Sequence, residues 1–128
     1  MAAPITAFYA GVIGLLLLAL SYNVVRNRIR AQVSLGTGED RGLEKAVRAQ
    51  GNLTEYAPLI LLLMALVEAG GSSPWLTHGC GGLLVVSRVL HATGIAGRRS
   101  VSPGRKIGIA GTWVVLLVMS VAAVALGA

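Results

Sequence analysis

The fold is decided by a charge-free stretch near the start of the chain, PITAFYAGVIGLLLLALSYNVV (residues 4–25). At 1.5 Å of rise per residue, a helix of this length reaches about 33 Å, and the hydrocarbon core of a bilayer is about 30 Å thick. A cleavable signal peptide has its basic residues before the apolar run, whereas here the arginines follow it. We therefore expect residues 4–25 to form a spanning helix that is kept in the mature protein.

Three further apolar segments predict three more spans, at residues 53–69, 75–96 and 106–126. The second helix is expected to begin before its apolar part, around residues 42–44, and the sequence GGSSP at 70–74 ends it. The chain has 128 residues, of which 12% are charged, whereas soluble domains carry about 25%. The sequence thus predicts an all-α integral membrane protein, a four-helix transmembrane bundle that forms one domain over residues 1–128.

The eleven basic residues all fall near the first and third predicted loops. They are Arg26, Arg28, Arg30, Arg41, Lys45 and Arg48 around the first loop, and Arg88, Arg98, Arg99, Arg105 and Lys106 around the third. The positive-inside rule then places both loops in the cytoplasm and both termini outside, as expected for a bacterial inner membrane protein with four spans. No nucleic-acid partner is predicted, because aromatic residues do not interleave with the charges.

A polar run on the second helix, RAQGNLTEYAP (residues 48–58), is the most informative part of the chain. Arg48, Asn52, Glu55 and Tyr56 recur at helical spacing and form one stripe. A charged side chain facing lipid costs about 2.5–3.5 kcal/mol even on lenient insertion scales, so Glu55 must face protein or water. The stripe is either an Arg48–Glu55 ion pair that holds the bundle together, or the wall of a cavity for an amino-acid-like or peptide-like zwitterion.

A second polar stripe lies on the third helix, where Arg88, His91 and Ile95 share a face. Arg88 either contributes to a site or extends to the membrane interface without a function, and His91 is better explained as a hydrogen-bonded packing residue than as a metal ligand. No group of residues has metal-ligand spacing, and the single Cys80 cannot form an internal disulfide. Paired glycines such as Gly11 and Gly14 are typical of close helix packing.

The pattern R-A-Q-x-N-x-x-E-Y-x-P at residues 48–58 resembles the signature of the membrane-associated proteins in eicosanoid and glutathione metabolism, the MAPEG family. The position of the run on the second of four short spans and the chain length are also similar. The resemblance implies a bacterial-type member like the microsomal glutathione transferases. Such proteins are homotrimers that bind glutathione between neighbouring subunits, and the enzymes add its thiolate to lipophilic electrophiles or use it to reduce peroxides.

Carried over residue by residue, the resemblance implies a set of glutathione contacts. These are Arg48, Gln50, Asn52, Glu55, Tyr56, Arg88 and His91. Glu55 is expected near the ammonium group of glutathione, and either Arg99 or Arg105 is expected to stabilise the thiolate. One departure weakens the analogy with the eicosanoid enzymes, because Ile95 stands where they have a tyrosine.

Three functions follow from these observations. The first is a glutathione transferase, with or without peroxidase activity, that acts in detoxification on a lipophilic small molecule taken from the bilayer. The second is a non-catalytic protein that binds glutathione or membrane lipid. The third is a small multidrug exporter, although such exporters place their essential acid in the first span, which here carries none.

Overall fold

The computed structural model describes residues 1–97 and 102–128, which form four helices in the order of the sequence. They are α1 (Pro4–Ala31), α2 (Arg41–Ala69), α3 (Pro74–Ala96) and α4 (Pro103–Gly127). Each helix is long and apolar enough to cross a membrane, and the described residues contain no strand. The predicted all-α bundle with four spanning helices is therefore confirmed.

Each helix begins or ends at a residue whose chemistry explains the boundary. Proline occupies the first turn of α1, α3 and α4, where its missing N–H has no helical partner to lose. Asp40 caps α2 by accepting a hydrogen bond from the backbone N–H of Leu43 at 2.8 Å. Because this cap lies well before the apolar part of α2, the helix extends beyond the predicted span and includes the charged residues that precede it.

Asp40 also joins α2 to α1 through Arg30, with 2.6 Å between the closest oxygen and nitrogen. The hydrogen bond from the Arg30 guanidinium, followed by that from the Leu43 amide, lowers the pKa of Asp40 to about 2. The carboxylate is therefore charged at every physiological pH and fixes the loop between the two helices.

The opposite end of the bundle is held by Glu68 near the end of α2. Its carboxylate accepts hydrogen bonds from the backbone N–H of Ile5 at 2.9 Å and of Thr6 at 2.8 Å, and from the Thr6 hydroxyl at 2.7 Å. These two amides belong to the first turn of α1, whose own N-cap residue makes no side-chain hydrogen bond. Glu68 thus replaces the missing cap from a distant part of the chain.

The hydrophobic core lies between α2, α3 and α4. Ile60, Met64, Leu84, Val115 and Met119 have no exposed surface. Large apolar side chains also cover the outer surface of all four helices, as expected where a bundle faces lipid rather than water.

Glycines bring α3 and α4 into close contact. A Cβ atom at Gly108 would lie 2.5 Å from the Ser87 carbonyl oxygen and 2.6 Å from the His91 amide nitrogen, so a side chain does not fit there. Gly11 and Gly14 behave differently, because a Cβ on either residue would meet no atom within 4 Å. The prediction that this pair packs closely against another helix is therefore wrong within one chain.

Candidate functional site

A charged pocket of about 270 Å³ opens at the end of the bundle that carries the first and third loops, which we call the basic end. Four cations, one carboxylate and one apolar side chain line it: Arg41, Lys45, Arg48, Arg105, Glu44 and Ile95. The four lining residues of α2 after Asp40 are spaced i, i+3, i+4 and i+7 and therefore share one helix face. We call this cavity the cationic pocket.

The predicted Arg48–Glu55 pair is present, with 3.5 Å between the guanidinium nitrogen Nη1 and the carboxylate Oε1. About half of each side chain is exposed on the surface of the single chain, 51% for Arg48 and 53% for Glu55. The contact confirms that the two charges pair. The exposure leaves both groups accessible to a ligand or a neighbouring molecule, so the ion pair does not exclude the cavity interpretation.

Arg88 lies behind the stripe, in the interior of the bundle. Its side chain is 1% exposed, so the alternative in which it extends to the membrane interface is wrong. The guanidinium donates hydrogen bonds to Asn52 Oδ1 and, at 3.3 Å, to the Thr112 hydroxyl, and it lies 3.3 Å from His91 Nδ1. Within the described residues Arg88 Nε has no hydrogen-bond partner. The network connects α2, α3 and α4 through one cation.

The remaining predicted contacts are Gln50, Tyr56 and the two candidate arginines. Gln50 donates a hydrogen bond to the Ser21 hydroxyl of α1 at 2.9 Å. Tyr56 is half-buried and packs against the hydrophobic core. Arg99 lies outside the described residues, whereas Arg105 lines the cationic pocket and is within Coulombic range of His91.

The structure thus brings six of the predicted residues together in two groups. Arg48 and Arg105 line the cationic pocket, and Glu55 pairs with Arg48 at its edge. Asn52, Arg88 and His91 form the buried network.

Three residues of the pocket escaped the sequence analysis, namely Arg41, Glu44 and Lys45. The two cations were used only to place the first loop in the cytoplasm, but the spacing of Arg41, Lys45 and Arg48 at i, i+4 and i+7 already indicates a common helix face. In the part of the chain that the structure describes, no cluster of His, Cys, Asp or Glu is arranged to hold a metal ion.

The fold and the site define a small four-helix membrane protein with a charged pocket at one end. The chain belongs to the MAPEG family, whose model matches residues 6–125. It is similar to the inner membrane protein YecN of Escherichia coli strain K12, with 36% identity over 118 residues that cover 92% of this chain and 88% of the relative. The protein of the same name from an O6:H1 strain of Escherichia coli is equally similar. The family resemblance is therefore confirmed, and it does not support the exporter interpretation.

Proposed function

We propose that this protein binds glutathione at the basic end of the bundle and transfers it to lipophilic electrophiles, or uses it to reduce lipophilic peroxides. By analogy with YecN, we place it in the bacterial inner membrane, with the basic end in the cytoplasm. The observation that carries the proposal is the cationic pocket, lined by four cations and one carboxylate, in which one of the cations, Arg48, pairs with Glu55.

The charges of this region complement those of glutathione, which carries two carboxylates, one ammonium group and two amides. Arg41, Arg48 and Lys45 supply donors for the carboxylates, and the fork of a guanidinium matches a carboxylate in two parallel hydrogen bonds. Glu55 supplies the partner for the ammonium group from the edge of the pocket, and Glu44 is the acid that lines the pocket itself. Asn52 is the amide that the family signature assigns to the peptide backbone.

Catalysis requires the glutathione thiol to lose its proton, because the thiolate is the nucleophile. A free thiol has a pKa of about 8.5, and a nearby guanidinium favours the charged thiolate. Arg105 supplies such a charge at the pocket, and Arg99 is the other candidate. With an aryl halide, the thiolate sulfur forms a bond to the ring carbon, the carbon–halogen bond breaks, and halide leaves while the thiol proton passes to water.

A homotrimer supports this function better than a single chain. The cationic pocket of about 270 Å³ is below the roughly 300–1,000 Å³ of small-molecule sites, so further walls must come from elsewhere. The exposed Arg48–Glu55 pair lies on a spanning helix, where water or another subunit must cover it. The open faces of Gly11 and Gly14 offer a surface for close packing between copies.

A second candidate function is glutathione binding without turnover. Ile95 favours it, because this side chain lines the cationic pocket and cannot donate a hydrogen bond to a sulfur atom.

The two functions are separated by measuring binding and turnover on the same purified protein. We expect S-methylglutathione, which lacks the reactive thiol, to raise the Tm as any ligand of the folded state does. The enzyme should then convert glutathione with 1-chloro-2,4-dinitrobenzene or cumene hydroperoxide above the uncatalysed rate. Stabilisation without turnover establishes the non-catalytic binder, and an unchanged Tm at millimolar ligand refutes both functions.

A further inference from the structure

The first turn of α4 is joined to the last turn of α3 by the hydroxyl group of Ser102. As the N-cap residue of α4, Ser102 accepts a hydrogen bond at Oγ from the backbone N–H of Arg105, with 3.2 Å between the two atoms. The same hydroxyl donates a hydrogen bond to the Gly94 carbonyl oxygen of α3 at 3.0 Å. A hydroxyl group can donate once and accept twice, so Ser102 makes both bonds at the same time. We call this pair of hydrogen bonds the Ser102 clasp.

The two turns are also in close backbone contact, which leaves no room for a side chain between them. A Cβ atom at Gly94 would lie 2.5 Å from the backbone nitrogen of Arg105 and 2.7 Å from Ser102 Oγ. A Cβ atom at Gly104 would lie 3.2 Å from the Leu90 carbonyl oxygen, about one helical turn earlier on α3. The start of α4 therefore lies directly against α3, and the Ser102 clasp fixes it there.

Arg105 is the residue whose backbone the clasp holds. It stands in the first turn of α4, and it lines the cationic pocket together with Ile95 of α3 and Arg48 of α2. An opposite charge favours an ionised group mainly when the two lie within about 4–6 Å of each other. A movement of the first turn of α4 away from α3 would therefore weaken the effect of Arg105 on a thiolate in the pocket.

We propose that Ser102 is a positioning residue, which holds Arg105 at the cationic pocket so that the guanidinium acts on the thiol bound there. The described wall of the pocket does not include Ser102, so this residue acts through Arg105 and not by contact with the substrate. The consequence for glutathione rests on the proposed function, whereas the position of Arg105 can be tested without glutathione.

The test measures the effect of the Arg105 charge on a thiol that is built into the pocket. Glu44→Cys puts this thiol on α2, at an exposed position of the pocket wall. Its alkylation by iodoacetamide is followed against pH, and mass spectrometry distinguishes it from alkylation of Cys80. Because the thiolate is the nucleophile, the profile gives the pH midpoint of ionisation. Adding Arg105→Gln should raise this midpoint by about one pH unit, and adding Ser102→Ala instead should raise it by at least half as much.

Two control variants separate positioning from a loss of stability. Ser102→Thr keeps the hydroxyl group and should keep the midpoint. Ser73→Ala makes the same change at the N-cap of α3, where the side chain makes no capping hydrogen bond, and should leave the midpoint unchanged. If Ser102→Ala lowers the Tm but does not move the midpoint, the clasp is only structural and the proposal is refuted. An unchanged midpoint in Arg105→Gln, or equal shifts in Ser102→Thr and Ser102→Ala, refutes it as well.

A second substitution disturbs the contact between the two turns while the Ser102 hydroxyl is intact. Gly94→Ala places a methyl group where the first turn of α4 lies, so it should also raise the midpoint of the thiol at position 44. Gly79→Ala is the matched control on the same helix, because its Cβ would meet no atom within 4 Å. Equal midpoints in the two folded variants would contradict the proposal.

Glutathione then shows whether the effect reaches the substrate. With Glu44 intact, Ser102→Ala should raise the pH midpoint of the thiolate absorbance of bound glutathione. The Kd for S-methylglutathione should not change, because this ligand has no thiol to ionise. If the wild type does not bind S-methylglutathione, the proposed function fails, and the thiol at position 44 still decides whether Ser102 positions Arg105. If glutathione binds and Ser102→Ala leaves its thiolate midpoint unchanged, the positioning role fails while the proposed function stands.

Discussion

Arg88 of α3 donates a hydrogen bond to Asn52 Oδ1 of α2, and this bond anchors the family signature from the inside of the bundle. Arg88 is almost completely buried, and Asn52 is the residue of the family signature to which it donates a hydrogen bond. The described residues provide it with neutral hydrogen-bond partners, while Glu55 lies within Coulombic range. We therefore interpret Arg88 as a positioning residue for the proposed glutathione site.

Arg88→Met should lower both stability and glutathione affinity. Hydrogen bonds to charged groups contribute about 1.5–3 kcal/mol, and the change leaves the Asn52 carbonyl without its donor. Thermal unfolding and S-methylglutathione titration measure the two effects, and Arg26→Met, on the exposed surface of α1, is the control. Because Arg88 acts through Asn52, the affinity losses of Arg88→Met and Asn52→Leu should not add in the double variant. Additive losses would contradict the positioning role.

Glu55→Gln should weaken glutathione binding by about tenfold, and Tyr56→Phe should weaken it less. The first change removes the charge partner of an ammonium group, whereas the second removes one neutral hydrogen bond. Calorimetric titration of detergent-solubilised protein with S-methylglutathione compares the two. If Glu55→Gln binds as tightly as the wild type, then the Arg48–Glu55 contact is structural and the ammonium of glutathione is bound elsewhere.

The sequence predicted the four helices because each apolar run is long enough to span a bilayer, and the spacing of Arg48 and Glu55 allowed their pairing as one of two alternatives. It did not predict that Arg88 points inwards, because helical periodicity places a residue on a face without saying which helix covers that face. The same limit explains why the predicted close packing at Gly14 is wrong within one chain. Whether another helix covers this face depends on where α1 packs, which the sequence does not show. Lys45 was missed because its charge was used only to orient the first loop, although the predicted second helix already included it.

Gly108→Ala should destabilise the protein by about 1–3 kcal/mol, the usual cost of adding a methyl group to a filled space. The new Cβ would lie 2.5 Å from the Ser87 carbonyl oxygen, so α3 and α4 must move apart. Gly14→Ala is the matched control, because its Cβ meets no atom within 4 Å of this chain. Thermal unfolding of the two variants compares them. A larger loss for Gly14→Ala, accompanied by dissociation, would instead place Gly14 in a subunit interface.

The loop between α1 and α2 should loosen at acidic pH. Since the pKa of Asp40 is lowered from 3.8 to about 2, its bond to Arg30 is fully present above pH 3.8 and is lost as the pH falls through 2. Hydrogen exchange of the Leu43 amide should therefore rise in this window beyond the intrinsic pH dependence. In Asp40→Ala, which removes the side-chain acceptor of the Leu43 amide, the protection should already be reduced at neutral pH and should show no such transition. Identical profiles for the two proteins would contradict this role of Asp40.

If the protein is an enzyme, an arginine rather than His91 should control the glutathione thiolate. A guanidinium is always charged and can stabilise the negative thiolate. His91, in contrast, is buried beside the cationic Arg88. Bound glutathione should then show thiolate absorbance near neutral pH, and Arg105→Gln or Arg99→Gln should abolish it. Lys106→Gln removes one positive charge from an exposed position and should retain the thiolate absorbance. If His91→Ala loses the absorbance and turnover while both arginine variants keep them, His91 is the activating group.

Ile95→Tyr becomes the informative variant if the wild type shows no thiolate at any pH below the pKa of the free glutathione thiol. A phenol at this position of the pocket supplies a hydrogen-bond donor to the sulfur, so the variant tests whether the missing hydroxyl is the reason.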